Sequence, residues 1–461
     1  MFLWDSESND WQYYSETGFG ALSVSTVFYP WSEDYVAIPA SLFGTQTNDD
    51  SQVVWPMRIV ESKEEISYID TIELWVVSHP ETVQVMPDFH MTGDLFGIYT
   101  AEITPVSYCT DQNSADCSSL VATFDDGSFW AVDPSIPSTT TQFVEFGLGF
   151  DSPPSRLQLI LSMSQYQTLT DWYTQPRHTI PDAYFLQQWS ATSGGWISVG
   201  YPFDVTYQAG DHTPVQNSTN PKMELFQLVL DLTGMGFYQN SGEELKLRLT
   251  FPWLDRPVRV DQIAVYTAEN YPLEISEVLH PINATLGFHG VLEDQWDYAN
   301  HLISTINYTN IIPGAGMPEV VSGNFTAYGD VLPLLLTDND EFVIMGRGDE
   351  IQLQFLAPTN LPSSPNTTTV ILHSAVYYKA IGKSLGSSPN PIPFNSMPFF
   401  PYNSSFSYDL TAHGNYLATY NTRSYTATYS HFTLWTDLFT FTTTEFCSVP
   451  LERRKRYQRD L

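Results

Sequence analysis

The sequence predicts an all-β protein built from tandem β-sandwich units of jelly-roll type. Three observations point there. Aromatic residues make up 15% of 461 positions, and with Thr, Val and Ile they fill short runs suited to pleated, half-buried strands. Those runs are punctuated by 31 prolines and 26 glycines, the regular turn spacing of sandwiches. Several runs alternate with a period of two. Ile351-Gln352-Leu353-Gln354-Phe355 and Leu245-Lys246-Leu247-Arg248-Leu249 do so, as strands buried on one face must.

Length and charge set the outer bounds. A chain of 461 residues exceeds one comfortable core and predicts several domains. The expected divisions are an N-terminal β domain over 1–135, a jelly-roll-like sandwich over 136–278, a second sandwich over 279–440 and a basic tail over 441–461. Apolar residues are 42% and charged residues 15%, enough core to exclude general disorder. The net charge of −34 repels phosphate and excludes nucleic acid as a partner. A neutral glycan, a surface protein or a bound cation fits that charge. No apolar run reaches the length of a transmembrane helix. Asp5, Glu7 and Asp10 come too early for a signal peptide to start at Met1.

Taken in order, residues 1–30 read as short strands. Ile66 to Ile69 and Ile72 to Val77 are strand-like, and Pro80 stops the second. Cys109 and Cys117 are close enough in sequence to clip one hairpin in an oxidising compartment; two buried thiols are the other reading. Cys447 is left over. Asp125-Asp126-Gly127 reads as a tight turn. Residues 142–270 read as one jelly-roll unit, with a hairpin over Tyr184 to Val199 whose turn holds Gly194 and Gly195. That succession of strands is similar to galactose-binding-like sandwiches at the level of fold. Residues 279–325 read as a connection. Phe342 to Met345 and Ile351 to Phe355 flank Gly346-Arg347-Gly348-Asp349 and read as a hairpin, with Asp349 and Glu350 placed to accept turn N–H groups. Leu353 to Phe355, a proline loop and Val370 to Ser374 echo the layout of Phe143 to Phe150, a proline loop and Leu159 to Ser162. Two copies of one sandwich topology would explain the echo. The final RRKRYQRDL holds five of the 18 Lys and Arg residues and reads as a solvated tail.

Ordered motifs over about 1–425 carry a family resemblance. They include Phe2-Leu3-Trp4-Asp5, the Asp-Tyr-Val-Ala-Ile-Pro stretch at 34–39, and Glu64, Glu65, Tyr68, Asp70, His79 and Pro80. Asp231-Leu232-Thr233-Gly234, the YGDV at 328–331 followed by the FVIMG-x-GDE at 342–350, and Pro393-Phe394 with Met397-Pro398 continue the series. This pattern resembles the C-terminal β-rich module of large secreted or surface proteins that carry FG-GAP, cartilage-acidic-protein-like (ASPIC/UnbV) or TPR repeats. The resemblance implies neighbouring domains of a longer chain, an extracellular or cell-surface setting and no catalytic activity. The family's Asp-His-x-Gly turn is replaced here by the SYCTDQNSADCSS at 107–119.

Chemistry-bearing constellations are sparse. The sequence contains no Gly-x-Ser-x-Gly elbow, P-loop, His-Glu-x-x-His or Cys-x-x-Cys motif, so the expectation is a non-enzymatic module without a cofactor. Asp338-Asn339-Asp340-Glu341 is the densest acid cluster, and oxygen-rich turns suit Ca²⁺. Asp338 and Asp340 are therefore the candidate metal ligands, with a solvated turn as the plain alternative. Six N-x-S/T sequons, at Asn217, Asn283, Asn307, Asn324, Asn366 and Asn403, are candidate glycosylation sites. The expected function is adhesion, glycan or partner binding, or structural spacing. A carboxylate-dependent glycan hydrolase is the enzymatic alternative, and two carboxylates about 5–10 Å apart in a cleft would mark it.

Overall fold

The structure is a computed structural model. It describes residues 1–15, 17, 33–61, 65–89, 93–132, 136, 141–150, 154–165, 183–204, 216–217, 220–221, 227–235, 237, 244–251, 258–290, 292–297, 302–311, 323–359, 361, 367–380 and 411–425. The strands fall into four consecutive segments. The first holds β1 (Phe2–Asp5), β2 (Asp10–Tyr13), β3 (Glu33–Pro39), β4 (Gln46–Thr47), β5 (Val53–Val60) and β6 (Glu65–Ser78), followed by the hairpin β7 (Val83–Pro87) and β8 (Leu95–Tyr99). The second holds β9 (Thr104–Pro105), β10 (Tyr108–Asp111), β11 (Trp130–Ala131), β12 (Gln142–Gly147) and β13 (Gln158–Gln165). The third holds β14 (Ala183–Ser190), β15 (Gly195–Asp204), β16 (Gln216–Asn217), β17 (Asn220–Pro221), β18 (Leu228–Asp231), β19 (Lys246–Phe251) and β20 (Val258–Tyr266). The fourth holds β21 (Glu274–Leu279), β22 (Pro281–Phe288), β23 (Leu292–Asp297), β24 (Leu302–Ile311), β25 (Gly323–Phe325), β26 (Gly329–Asp330), β27 (Val343–Gly346), β28 (Asp349–Leu356) and β29 (Thr368–Ala380), with β30 (Arg423–Tyr425) beyond. Helix among the described residues is confined to short turns and to Gly414–Thr419, and none is long and apolar enough to cross a membrane.

The strands form antiparallel sheets. Sheet I runs β2-β1-β5-β28-β22-β26, with β4 on β5, and sheet II runs β21-β6-β29-β3, with β27 on β6. Sheet III runs β15-β14-β19-β12-β10, and sheet IV runs β11-β20-β13-β18, with β9 on β20. Sheets I and II draw on both ends of the chain; sheets III and IV use only the stretch between. Strand pairing therefore does not follow the expected divisions at 135 and 278. Residues of the first segment pair with those of the fourth, as Met57 does with Leu353 and Leu74 with Leu372. The second and third segments pair with each other, as Val144 does with Leu249 and Leu159 with Val265. One sandwich is inserted into another. The buried apolar faces of all four sheets join one cluster, including Met57, Leu353, Leu74, Leu372, Val144, Leu249, Leu159 and Val265.

The two sandwiches share a topology. Sheets I and III match strand for strand over β2-β1-β5-β28-β22 and β15-β14-β19-β12-β10, and sheets II and IV match over β21-β6-β29-β3 and β9-β20-β13-β18. The branches match too, since β27 and β11 pair with β6 and β20. Segment one is thus the counterpart of segment three, and segment two of segment four. The match extends to a defect. On β6 the register with β29 skips Asp70 between Thr71 and Ile69. On β20 the register with β13 skips Asp261 between Gln262 and Val260. Such bulges re-aim one side chain. Two residues after each bulge, the N–H of Ile72 reaches the carbonyl of Leu335 and the N–H of Ile263 that of Val121.

Three local expectations change. Phe342 to Met345 and Ile351 to Phe355 do not form a hairpin. β28 already has β5 and β22 on its two sides, so β27 pairs with β6 in sheet II, and the turn at Gly346-Arg347-Gly348 carries the chain between sheets. Gly348 takes φ +91° there, a conformation that favours glycine. Ile351, Leu353 and Phe355 still face the core at 0–1% exposure, with Val343 and Met345 buried. The two strand-like runs around Asp70 are one 14-residue strand, β6, because the bulge absorbs the break. Residues 281–288, expected to connect, form the interior strand β22 of sheet I.

Candidate binding face

The outer face of sheet III gathers the described side chains best suited to a ligand. Alternation on β19 turns Leu247, Leu249 and Phe251 inward and leaves Arg248 partly exposed on the outer face. Glu145 of β12 and Gln187 of β14 lie directly opposite Arg248 on its two sides. Two positions beyond Gln187 comes Trp189, paired across the β14–β15 turn with Trp196. Their rings meet edge to face at 5.7 Å and 65°. The guanidinium of Arg248 lies 3.7 Å from the centre of the Phe143 ring and 4.0 Å from that of Trp196, a cation–π sandwich. Arg248 Nη2 donates to Glu145 Oε2 at 3.1 Å. Tyr108 of β10 donates to Glu145 Oε1.

The Arg charge is matched by Glu145, and both side chains are about four-fifths buried, at 18% and 23% exposure. Burial lowers the pKa of Arg248, with Glu145 acting in the opposite sense. Burial and then the charges of Glu145 and Glu244 push the Tyr108 phenol up, which keeps it a hydrogen-bond donor. The face offers partly exposed indole rings beside an amide and neutralised polar groups. Such a surface can stack against the C–H face of a sugar ring and hydrogen-bond its hydroxyls.

The residues singled out from sequence lie elsewhere. Cys109 and Cys117 are joined by a disulfide with Cα atoms 5.0 Å apart, both buried where β10 meets the following short turn. Asp338 and Asp340 sit on a turn folded over Asp70. Asp70 accepts the N–H groups of Asn339 and Asp340, at 3.1 and 2.9 Å through Oδ2. Burial, and then a side-chain hydrogen bond with Asp338, push its carboxyl up to about 8. Among the described residues no group of three or more His, Cys, Asp or Glu is arranged to hold a metal. Asp349 accepts from Gly346 N–H at 2.8 Å and Tyr328 OH at 2.8 Å, and pairs with Arg423. Asn283, Asn307 and Asn324 are exposed, on β22, β24 and β25. Asn217 lies on β16; its side chain, Asn366, Asn403, Cys447 and the basic tail fall outside the described residues.

Sequence reasoning missed Trp189, Trp196 and Arg248 as site residues. A signal was present. A tryptophan recurs seven residues after another on either side of a turn, at Trp4 and Trp11 and again at Trp189 and Trp196.

No protein-family model matches the chain, and no curated protein matches it. Among solved structures, the chain is similar to a carbohydrate-binding module, CBM28, described as specific for non-crystalline cellulose. The identity is 10%, the match covers 42% of this chain and 88% of the other, and the TM-score is 0.19.

Proposed function

We propose that this protein is a non-catalytic carbohydrate-binding β-sandwich protein of the cell surface or extracellular space, and that sheet III carries the binding face. The observation behind this reading is the Trp189–Trp196 pair, braced by Arg248 and Phe143 on the outer face of a sheet. Aromatic planes beside a charge-matched Arg248–Glu145 pair suit a neutral glycan, and the net charge of −34 disfavours a polyanionic one. The acids whose pKa values are raised, Asp70, Asp261 and Asp349, are buried at 1–2% exposure away from this face, where a sugar and a water would have no place. The disulfide and the exposed sequon asparagines favour an oxidising, glycosylating compartment.

Native electrophoresis through gels containing β-1,4-glucan, mannan or xylan tests the reading. The expected result is retardation by at least one polymer, with no release of reducing ends on incubation. Trp196→Ala should weaken that binding roughly 10-fold or more, about 1.4 kcal/mol. Unretarded mobility in every gel, or steady release of reducing ends, contradicts the reading.

A further inference from the structure

The strand correspondence between the two sandwiches extends to individual side chains of the proposed site. On sheet III, Gln187 of β14 pairs with Arg248; on sheet I, Phe2 of β1 pairs with Arg58 of β5. Arg58 is therefore the counterpart of Arg248. Two residues past Phe2 comes Trp4, as Trp189 comes two past Gln187, and Trp4 pairs across its turn with Trp11. The Trp4 and Trp11 rings meet at 5.4 Å and 70°, close to the 5.7 Å and 65° of Trp189 and Trp196.

The brace is rebuilt from different residues. Arg58 lies 4.3 Å from the centre of the Trp11 ring and 4.9 Å from that of Tyr308 on β24, so Tyr308 takes the part of Phe143. Its acid is Glu350, at 3.1 Å, which also accepts from Tyr308 OH at 2.7 Å. Glu350 comes from a strand position different from that of Glu145, because Gln352 faces Arg58 where Glu145 faces Arg248. A shared ancestral core would need the inward leucines, not this outer-face pattern. Cross-strand Trp pairs, an Arg held between two rings and a neutralising Glu recur on the outer faces of both five-strand cores, with Glu350 and Phe2 buried beneath Tyr308 on sheet I.

We infer that the Trp4–Trp11–Arg58 face of sheet I is a second carbohydrate site, so that one chain engages a neutral polysaccharide at two points. The inference rests on the proposed reading of sheet III. The occupant is an uncharged glycan segment, because Arg58 is neutralised by Glu350 and the strand next to it presents Gln352, exposed, and Gln354. Two linked sites raise avidity for a polymer well above that of either site alone.

Calorimetry on the full chain with β-1,4-linked gluco-, manno- and xylohexaose, and with the parent polymers, tests it. The expected result for the hexasaccharide that binds is about two sites per chain, falling to about one in Trp11→Ala and in Trp196→Ala, with none left in the double variant. On the polymer each single variant should lose roughly 100-fold in affinity. Gln352→Arg, which alters the sheet I face without removing a packed ring, should also leave about one site, and serves if Trp11→Ala unfolds. One site in the wild type, abolished by Trp196→Ala and untouched by Trp11→Ala and Gln352→Arg, overturns the second site and leaves the first reading standing. Absence of binding to every hexasaccharide and polymer removes both.

Discussion

A buried acid sits at each of the two bulges, Asp70 on β6 and Asp261 on β20. Burial pushes Asp70 up to about 8 and Asp261 up to about 7, against about 3.9 in an unfolded chain. A carboxyl raised on folding holds its proton in the native state. The stability this contributes is complete below about pH 4 and is lost as pH rises through about 7 to 8. Stability should therefore decline over that window, and Asp70→Asn should flatten the decline. The amide keeps an acceptor for Asn339 and Asp340 and a donor toward Asp338. Urea unfolding at several pH values checks this; an unchanged slope in the variant contradicts the assignment to Asp70. At Asp349 the structure enlarges an effect expected from the turn alone. Losing turn bonds to the carboxylate would cost about 1 kcal/mol or a little more, and the structure gives it one such bond, from the Gly346 N–H. Asp349 is 2% exposed and pairs with the largely buried Arg423. Asp349→Ala should then cost about 3 kcal/mol or more, since it strands a cation, measurable by the same unfolding.

At the scale of elements, the strands themselves were legible because burial on one face writes a two-residue period into the sequence. Ile351, Leu353 and Phe355 on β28 and Leu247 and Leu249 on β19 carry that period and face the core. The two-copy layout also left a trace, since β12 and β13 lie on opposite sheets of one sandwich as β28 and β29 do of the other. Partner choice was not legible. Nothing local in β5 specifies β28, whose Glu350 bonds Arg58 from 292 positions away. The binding face was hidden for a related reason, since Phe143, Trp196 and Arg248 come from three strands and meet only once sheet III is assembled. The Cys109–Cys117 pair was the exception, since its ends are only eight residues apart. Closing so short a loop should contribute about 2.5 kcal/mol. Reduction with a thiol should lower the unfolding midpoint of wild type and leave a Cys109→Ser/Cys117→Ser double variant unmoved; equal behaviour of the two would contradict a bridge.

On the scale of the whole molecule, four segments alternate in type, and each sandwich takes one of each type. The inner sandwich uses adjacent segments over 104–266, while the outer one joins the ends of the chain. A fragment of residues 104–266 contains every strand of sheets III and IV and should fold alone into a β-rich unit with cooperative unfolding. A fragment of residues 1–103 holds β5 and β6 without β28 and β29 and should not, which circular dichroism would distinguish. On the reading proposed above, the outer faces of these sandwiches hold neutral glycan. A crystal structure of the full chain grown with β-1,4-linked hexasaccharides tests this. Sugar rings stacked over Trp189 and Trp196, with hydroxyls bonded near Gln187 and Glu145, are the expected result. Ordered sugar bound elsewhere, with the sheet III face bare, would contradict it.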